Sequence, residues 1–164
     1  MTAITLHNVL PQDWDRVRAW LQQSEIQAWW GGLAAAEAEI AIAAESPSAI
    51  CRLIFGGDIP IGYGHALDSD LVRSARTEGL LPGTYVAALF IADPAHRQRA
   101  AGETALAALT GEVFSSTLAP ACATLVPVRY EAAVRAAERA GYGWIGVRDD
   151  GPSGRSWLMV RERP

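Results

Sequence analysis

The order of predicted strands and helices indicates a mixed α/β (α+β) fold, in which a mostly antiparallel sheet carries helices on both faces. Short alternating or fully apolar segments, typical of strands, occur between longer segments of helical periodicity. Residues 84–94 are almost wholly apolar, as expected of a central strand covered on both faces. No linker composition or internal repeat divides the chain, so we expect a single domain over residues 1–164.

The amino-terminal part is predicted to contain one strand and three helices. Residues 2–9 alternate in polarity as a strand does. Pro11 suits the first position of a helix, and Gly31 and Gly32 are expected to end the second helix. Ser24 is expected to cap that second helix at its start. The predicted helices cover residues 11–23, 24–32 and 33–46.

From residue 49 onward the pattern becomes mainly extended. Gly56, Gly57 and Asp58 separate two strand-like segments and so predict a hairpin. Residues 68–83 are polar and irregular, and we expect them to form a surface excursion. The remainder alternates between strands and helices and finishes with a pair of strands. The predicted strands cover residues 49–55, 59–68, 84–94, 121–128, 142–150 and 155–162, and the predicted helices cover 102–118 and 129–142.

Composition and charge restrict the possible functions. A net charge of −4 argues against nucleic acid as a partner and fits a neutral or cationic small molecule better. The chain contains no lysine, which excludes a phosphate-loop lysine and a Schiff-base lysine. Cys51 and Cys122 are far apart in predicted strands, so they predict buried thiols and no zinc site. Because no signal peptide or membrane-spanning run is evident, we expect a cytoplasmic protein without a membrane partner.

The junction between the strand at 84–94 and the following helix carries the strongest functional pattern. It contains Arg97 and Arg99, followed by three small residues. The start of a helix offers unpaired N–H groups, and small residues let a phosphate approach them closely. Arginines at the positive end of a helix are unfavourable unless an anion lies nearby. The junction therefore has the composition of a pyrophosphate-binding turn.

The same junction resembles the acetyl-CoA signature of the GNAT acyltransferase superfamily. Pro94 follows the strand, and Arg97, Ala100 and Gly102 occupy the three signature positions of the turn, with alanine in place of the first glycine. That replacement is mild if residue 100 is helical and harmful if it requires a positive φ. The resemblance extends from Ile4 to about Val160. Within the superfamily the chain resembles the aminoglycoside 6'-N-acetyltransferases in residues 26–32, 61–68 and 128–142.

The resemblance implies an N-acetyltransferase that uses acetyl-CoA and a small-molecule amine, without a metal, as a monomer or a homodimer. In such a fold a splayed strand leaves a cleft beside the central strand, and the pantetheine arm pairs with the backbone there. The amine attacks the thioester directly. The implied binding residues for acetyl-CoA are Phe90, Ile91, Ala92, Arg97, Gln98, Arg99, Ala100, Ala101, Gly102 and Glu103.

Both proton-transfer residues of the aminoglycoside enzymes are replaced. Their carboxylate base corresponds to Ala88, and their tyrosine acid corresponds to Ala137. Three explanations remain open: a base from another position, catalysis by proximity alone, or a protein that binds acyl-CoA as an accessory module without turnover. Transfer of a longer acyl group is a more distant alternative. The candidates nearest the expected cleft mouth are His65, Asp68, Asp70 and Glu78, of which His65, Asp68 and Glu78 are the catalytic candidates.

The expected acceptor site is aromatic and acidic. Trp29, Trp30 and Tyr85 are predicted to line it, because amine-binding clefts favour amphipathic aromatic side chains. Asp70 is predicted to help bind a cationic substrate. His65 lies beside glycines in a strand and is equally compatible with a structural role. We predict that Arg97→Ala weakens acetyl-CoA binding.

Overall fold

The computed structural model describes residues 3–72, 77–97, 100–149 and 154–164. The strands in these ranges form a seven-stranded sheet of order β1-β2-β3-β4-β5-β7-β6. The strands are β1 (Ile4–Asn8), β2 (Ile50–Gly56), β3 (Ile59–Asp68), β4 (Tyr85–Ile91), β5 (Ala121–Pro127), β6 (Gly143–Arg148) and β7 (Ser156–Glu162). The helices are α1 (Trp14–Trp20), α2 (Ser24–Trp30), α3 (Leu33–Glu45), α4 (Pro94–Arg97), α5 (Ala101–Ser116) and α6 (Glu131–Arg139). None of the helices described is both long and apolar enough to cross a lipid bilayer.

Helices cover both faces of this sheet, which confirms the predicted fold class. On one face, α1, α2 and α3 pack through Val17, Ile26 and Ile40 against Tyr63 and Phe90 of the sheet. On the other face, α5 and α6 supply the buried residues of a second core. That core includes Leu106, Leu109, Val113, Val134 and Ala137. We call these the α1–α3 face and the α5–α6 face.

Local structure departs from the predicted elements at several helix ends, and most clearly around α1 and α2. Pro11 begins a 3₁₀ turn that precedes α1, and α1 ends at Trp20 instead of continuing to residue 23. Ser24 is the first residue of α2 and makes no capping hydrogen bond, because the extended residue before the helix is Gln23. Gly31, with φ 90°, ends α2 as predicted. The short helix α4 was missed, since it is a single turn beginning at a proline.

Strands β4 and β5 are the neighbouring parallel pair in the sheet. Both strands have seven residues, but they pair only at Tyr85 with Cys122 and at Val86 with Ala123. Beyond Val86, β4 remains paired to β3 as far as Ile91, whereas it separates from β5. One edge of β4 is therefore open along residues 87–91.

Candidate functional site

The open edge of β4 presents alternate backbone groups. In an antiparallel pair, the groups of successive residues point to opposite sides of the strand. The amide of Ala92 donates to the carbonyl of Ile61 in β3 at 2.6 Å, so Ala92 and Phe90 face β3. The amides and carbonyls of Leu89 and Ile91 consequently face the open edge. Of the three residues predicted to pair with pantetheine, Phe90 and Ala92 turn their backbone groups to β3, and Ile91 turns them to the open edge, as Leu89 also does.

Side chains cover the carbonyls along this edge. Thr124 Oγ1 donates to the carbonyl of Ala87 at 2.9 Å. Trp29 Nε1 donates to the carbonyl of Leu89 at 3.0 Å. Its indole ring also packs against Tyr130, which follows β5, with 5.0 Å between ring centroids. Trp29 therefore bridges the space between the two separating strands.

Arg97 lies at the end of this edge, with its guanidinium turned back onto the strand. Its Nε donates to the carbonyl of Ile91 at 2.7 Å, and Nη2 donates to the carbonyl of Ala92 at 3.2 Å and to Gln23 Oε1 at 2.8 Å. These carbonyls compensate for a cation near a helix start, which was expected to require an anion. Gln98 and Arg99, also predicted to bind acetyl-CoA, lie outside the described residues.

The residue immediately before α5 has a left-handed backbone conformation. Ala100 has φ 58°, and among the described residues it alone combines a positive φ with a side chain. The glycine that the family signature places here suits such a conformation, whereas a Cβ adds strain. The first-turn amides of α5, at Ala101, Gly102 and Glu103, have no acceptor within the helix. Ala101 packs beside Ile91, and the carboxylate of Glu103 accepts from Arg139 Nε at 2.8 Å.

A second polar cluster lies on the α1–α3 face, beside the same part of β4. His65 pairs across the strands with Ala88, and Tyr63 pairs with Phe90. Cross-strand partners share a face of the sheet, so His65 stands next to the position of the missing carboxylate. The imidazole is almost fully buried, at 1% exposure. It therefore does not itself present a surface to a substrate.

Each nitrogen of His65 has a partner. Tyr63 Oη lies 2.8 Å from Nδ1, and Glu39 Oε2 of α3 lies 3.1 Å from Nε2. Trp30 Nε1 donates to the same oxygen of Glu39 at 2.7 Å. The ring of Trp30 packs edge-on against His65 and Phe90, at 5.5 and 5.6 Å between centroids. The result is a continuous cluster of Tyr63, His65, Glu39 and Trp30.

Burial keeps the hydroxyl of Tyr63 and the thiol of Cys51 protonated. Desolvation, helped by neighbouring Cys51, raises the pKa of Tyr63 well above its ordinary value, so its hydroxyl keeps its proton. Burial likewise raises the pKa of the Cys51 thiol. The Tyr63 hydroxyl can then donate to Nδ1 of His65, which leaves Nε2–H to donate to the carboxylate of Glu39.

The remaining sequence candidates lie away from this cluster. Tyr85 is buried on the α5–α6 face, and its hydroxyl donates to the carbonyl of Ser48 at 3.0 Å, so it packs the core instead of lining a cleft. Asp68 Oδ1 accepts from the amide of Asp70 at 3.0 Å in the turn after β3. Glu78 is exposed, and its carbonyl accepts from Arg148. No described contact brings Asp68, Asp70 or Glu78 together with His65.

A cavity of about 440 Å³, open to the surface, is lined by α2, the glycines that follow it and Arg129. Arg129 stands over the ring of Tyr130, with its Cζ 4.8 Å from the centroid, and donates to the carbonyl of Ala28 at 3.0 Å. Arg129 thus links α2, beside the cavity, to the segment that follows β5.

Glu39 is the site residue that the sequence interpretation missed. It lies in an alanine-rich helix with several glutamates, which is typical of an exposed helix. Its spacing was nevertheless informative, since it stands three residues after Ala36 and four before Ala43, which are both buried. A carboxylate on the buried side of a helix needs partners, and His65 and Trp30 provide them.

The position of the family acid is filled by core packing. Ala137 is buried in the α5–α6 core and presents no polar group. In the part of the chain that the structure describes, no group of three or more histidine, cysteine or acidic side chains is arranged to hold a metal ion.

Comparisons with known proteins agree with this geometry. The sequence profile described as an acetyltransferase (GNAT) domain matches residues 9–149. A comparison with curated protein sequences finds no match.

Solved structures share the fold over nearly the whole chain. The aminoglycoside acetyltransferase AAC(6')-Ib in complex with coenzyme A aligns with a TM-score of 0.81 and 23% identity, over 98% of this chain and 95% of that one. The aminoglycoside N(6')-acetyltransferase from Legionella pneumophila aligns with a TM-score of 0.75 and 17% identity, over 99% of this chain and 93% of that one. The spermidine N-acetyltransferase from Vibrio cholerae, in complex with CoA and spermine, aligns with a TM-score of 0.74 and 13% identity, over 98% of this chain and 95% of that one.

Proposed function

Because the chain belongs to the acetyltransferase (GNAT) domain family, we propose that it transfers an acetyl group from acetyl-CoA to a primary amine of a small cationic molecule. The observation that carries this proposal is the open edge of β4, where Leu89 and Ile91 face the gap left by β5. An extended pantetheine arm is a suitable occupant, since its amides can pair with the edge as an added strand would.

The residues present fit acetyl-CoA along this edge. The turn at Ala100 and the first amides of α5 would hold the pyrophosphate. The amides of Leu89 and Ile91 would pair with the pantetheine, while Trp29 and Arg97 compete for the carbonyls of the same residues. Acetyl-CoA supplies the activated acyl carbon, and the protein orients it towards the α1–α3 face, where the acceptor would bind.

A cationic acceptor is supported by the charge of the chain and of its polar cluster. The net charge is −4, and Glu39 places a carboxylate on the α1–α3 face beside Ala88. Two similar structures were solved with cationic acceptors, kanamycin and spermine. An aminoglycoside or a polyamine is therefore the substrate class that we propose, with the enzyme acting in the cytoplasm as a monomer or homodimer.

The proposal is tested by incubating the purified protein with acetyl-CoA and, separately, kanamycin, ribostamycin, spermine and spermidine. Release of free thiol and a product one acetyl group heavier than the amine are expected with at least one acceptor. Desulfo-CoA in place of acetyl-CoA is the control for the dependence on the thioester. Absence of product with all four amines, together with absence of acetyl-CoA binding by calorimetry, would contradict the proposal.

A further inference from the structure

We propose that Glu39 is the general base that accepts the proton of the acceptor amine, and that His65 and Trp30 position its carboxylate. This inference rests on the proposed N-acetyltransferase function. Its starting point is chemical: Ala88 cannot accept a proton, yet an amine that is protonated near neutral pH must lose one before it attacks.

The position of Glu39 relative to β4 is fixed by two contacts. His65, its partner at 3.1 Å, pairs with Ala88 in the strand register. Trp30, its partner at 2.7 Å, packs against the ring of Phe90. The carboxylate thus lies over residues 88–90 on the α1–α3 face, while the open edge of the same residues faces the gap for the thioester.

The two consecutive tryptophans contact different parts of the site. Trp29 donates to the carbonyl of Leu89 at the open edge, and Trp30 donates to Glu39 beside it. Adjacent residues of one helix turn therefore contact the edge for the acyl donor and the carboxylate for the acceptor. A base near the amine and a donor near the thioester are what direct attack requires.

Exposure distinguishes the base from its supports. The side chain of Glu39 is 30% exposed, whereas that of His65 is 1% exposed. Of these two side chains, only Glu39 is exposed enough to meet a substrate. The buried imidazole of His65 and the partly buried indole of Trp30 hold it by two hydrogen bonds to one oxygen. His65 is therefore a positioning residue, in contrast to its predicted catalytic role.

The proton and electron balance is simple. The acceptor ammonium transfers one N–H proton to Glu39. The neutral amine attacks the thioester carbonyl carbon, so that a C–N bond forms and the C–S bond breaks with its electron pair on sulfur. A second N–H proton passes through solvent to that sulfur, and Glu39 returns its proton to water. The products are an amide and a thiol.

The decisive variant is Glu39→Gln, which keeps the shape and the acceptor oxygen but removes the basic group. With kanamycin or spermine, whichever the wild type acetylates faster, we expect kcat to fall by about 100-fold or more. The KM for the amine and the Kd for acetyl-CoA are expected to change by less than about threefold. Glu37→Gln, at an exposed position of the same helix, is the matched control and is expected to retain activity.

A kcat within about threefold of the wild-type value, or a loss confined to KM, would overturn the base assignment, the latter by making Glu39 a substrate anchor. Glu39→Asp keeps the charge on a shorter side chain and is expected to give an intermediate kcat. A folded Glu39→Asp variant whose kcat is as low as that of Glu39→Gln would show that a carboxylate at this position does not act as the base.

A readout independent of turnover is the ¹⁵N NMR spectrum of the His65 imidazole. We expect Nε2 to carry the proton in the wild type, and Glu39→Gln to shift that resonance while Glu37→Gln does not. An Nδ1-protonated His65 would contradict the positioning role. If the wild type acetylates no amine in the panel and binds no acetyl-CoA, the proposed function fails and the base assignment falls with it. A wild type that is active beside an equally active Glu39→Gln variant overturns the base assignment alone.

Discussion

The two faces of the sheet differ in the kind of side chain that they bury. The α5–α6 face is packed mainly by leucine, valine and alanine, with one internal pair of hydroxyls, Thr110 and Tyr142, at 2.6 Å. The α1–α3 face buries aromatic rings together with polar atoms, including His65 and the indole N–H groups of Trp29 and Trp30. Buried polar atoms require partners, and here the partners are Tyr63, one oxygen of Glu39 and the carbonyl of Leu89 in β4. The α5–α6 face thus packs the sheet mainly with apolar side chains, whereas the α1–α3 face packs it with aromatic rings and hydrogen-bonded polar groups.

The largest expected effect on stability comes from the supporting face. Leu109→Ala removes a side chain that is 1% exposed in the α5–α6 core. We expect unfolding to become easier by about 2–5 kcal/mol, because the transfer free energy is lost and a cavity remains. Chemical denaturation would measure this loss. If the faces are separate in role, the acetyl-CoA affinity of the folded variant stays near the wild-type value; a large loss of affinity would show that the faces are coupled.

Arg97→Ala tests the end of the open edge and has both kinds of effect. The guanidinium makes three hydrogen bonds, so its loss is expected to cost about 1–3 kcal/mol of stability. We also expect weaker acetyl-CoA binding, as the sequence predicted, because the turn before α5 loses its anchor to β4. Calorimetric titration of the folded variant separates the two effects. An unchanged Kd would remove Arg97 from the binding site.

Trp29→Phe tests whether the indole N–H of Trp29 competes with acetyl-CoA for the carbonyl of Leu89. The variant keeps an aromatic ring beside Tyr130 but frees the carbonyl of Leu89. Since one competing hydrogen bond of about 1 kcal/mol is removed, we expect acetyl-CoA to bind up to about fivefold more tightly. Trp20→Phe, which contacts Phe90 but donates no described bond at the edge, serves as the control. Weaker binding by Trp29→Phe alone would show that the indole N–H stabilises the complex instead.

Ala100→Gly addresses the strained turn. An alanine at φ 58° carries a penalty of about 1–2 kcal/mol, part of which glycine offsets with its greater freedom in the unfolded chain. We expect a net gain in stability of about 0.5–1 kcal/mol, with acetyl-CoA binding retained or improved. A destabilised variant in thermal unfolding would contradict the left-handed conformation at this residue.

The smallest expected effect is a pH dependence from the supporting face. Burial raises the pKa of the Cys122 thiol above its ordinary value of 9.0 and also raises the pKa of Tyr142. The folded protein keeps these protons where the unfolded chain loses them, so their stabilisation is complete below the ordinary pKa and is lost as the pH rises through the raised one. Above pH 9 we expect stability to fall by up to about 1.4 kcal/mol per pH unit and group. Cys122→Ala should show a shallower fall in alkaline urea titrations, and an identical slope would contradict the role of this thiol.

The fold class and the position of the strand-to-helix junction around Arg97 could be predicted from the sequence. The polar cluster of Glu39, His65 and Trp30 could not. Strand periodicity, the glycine at the end of α2 and the signature around Arg97 are local patterns, and the structure has elements at each of these places. Glu39 escaped prediction because its partners, His65 and Trp30, come from other elements and meet it only in the folded chain. Tyr85 was misplaced for the converse reason, since strand alternation alone does not say which face holds the acceptor.

The most direct test of the account is residue-resolved amide hydrogen exchange of β4 with and without acetyl-CoA. The amides of Phe90 and Ala92 face β3, and those of Leu89 and Ile91 face the open edge. We expect acetyl-CoA to slow amide exchange at Leu89 and Ile91 and to leave the exchange rates of Phe90 and Ala92 little changed. Binding of acetyl-CoA without added protection at Leu89 and Ile91 would contradict the placement of the acyl donor along this edge.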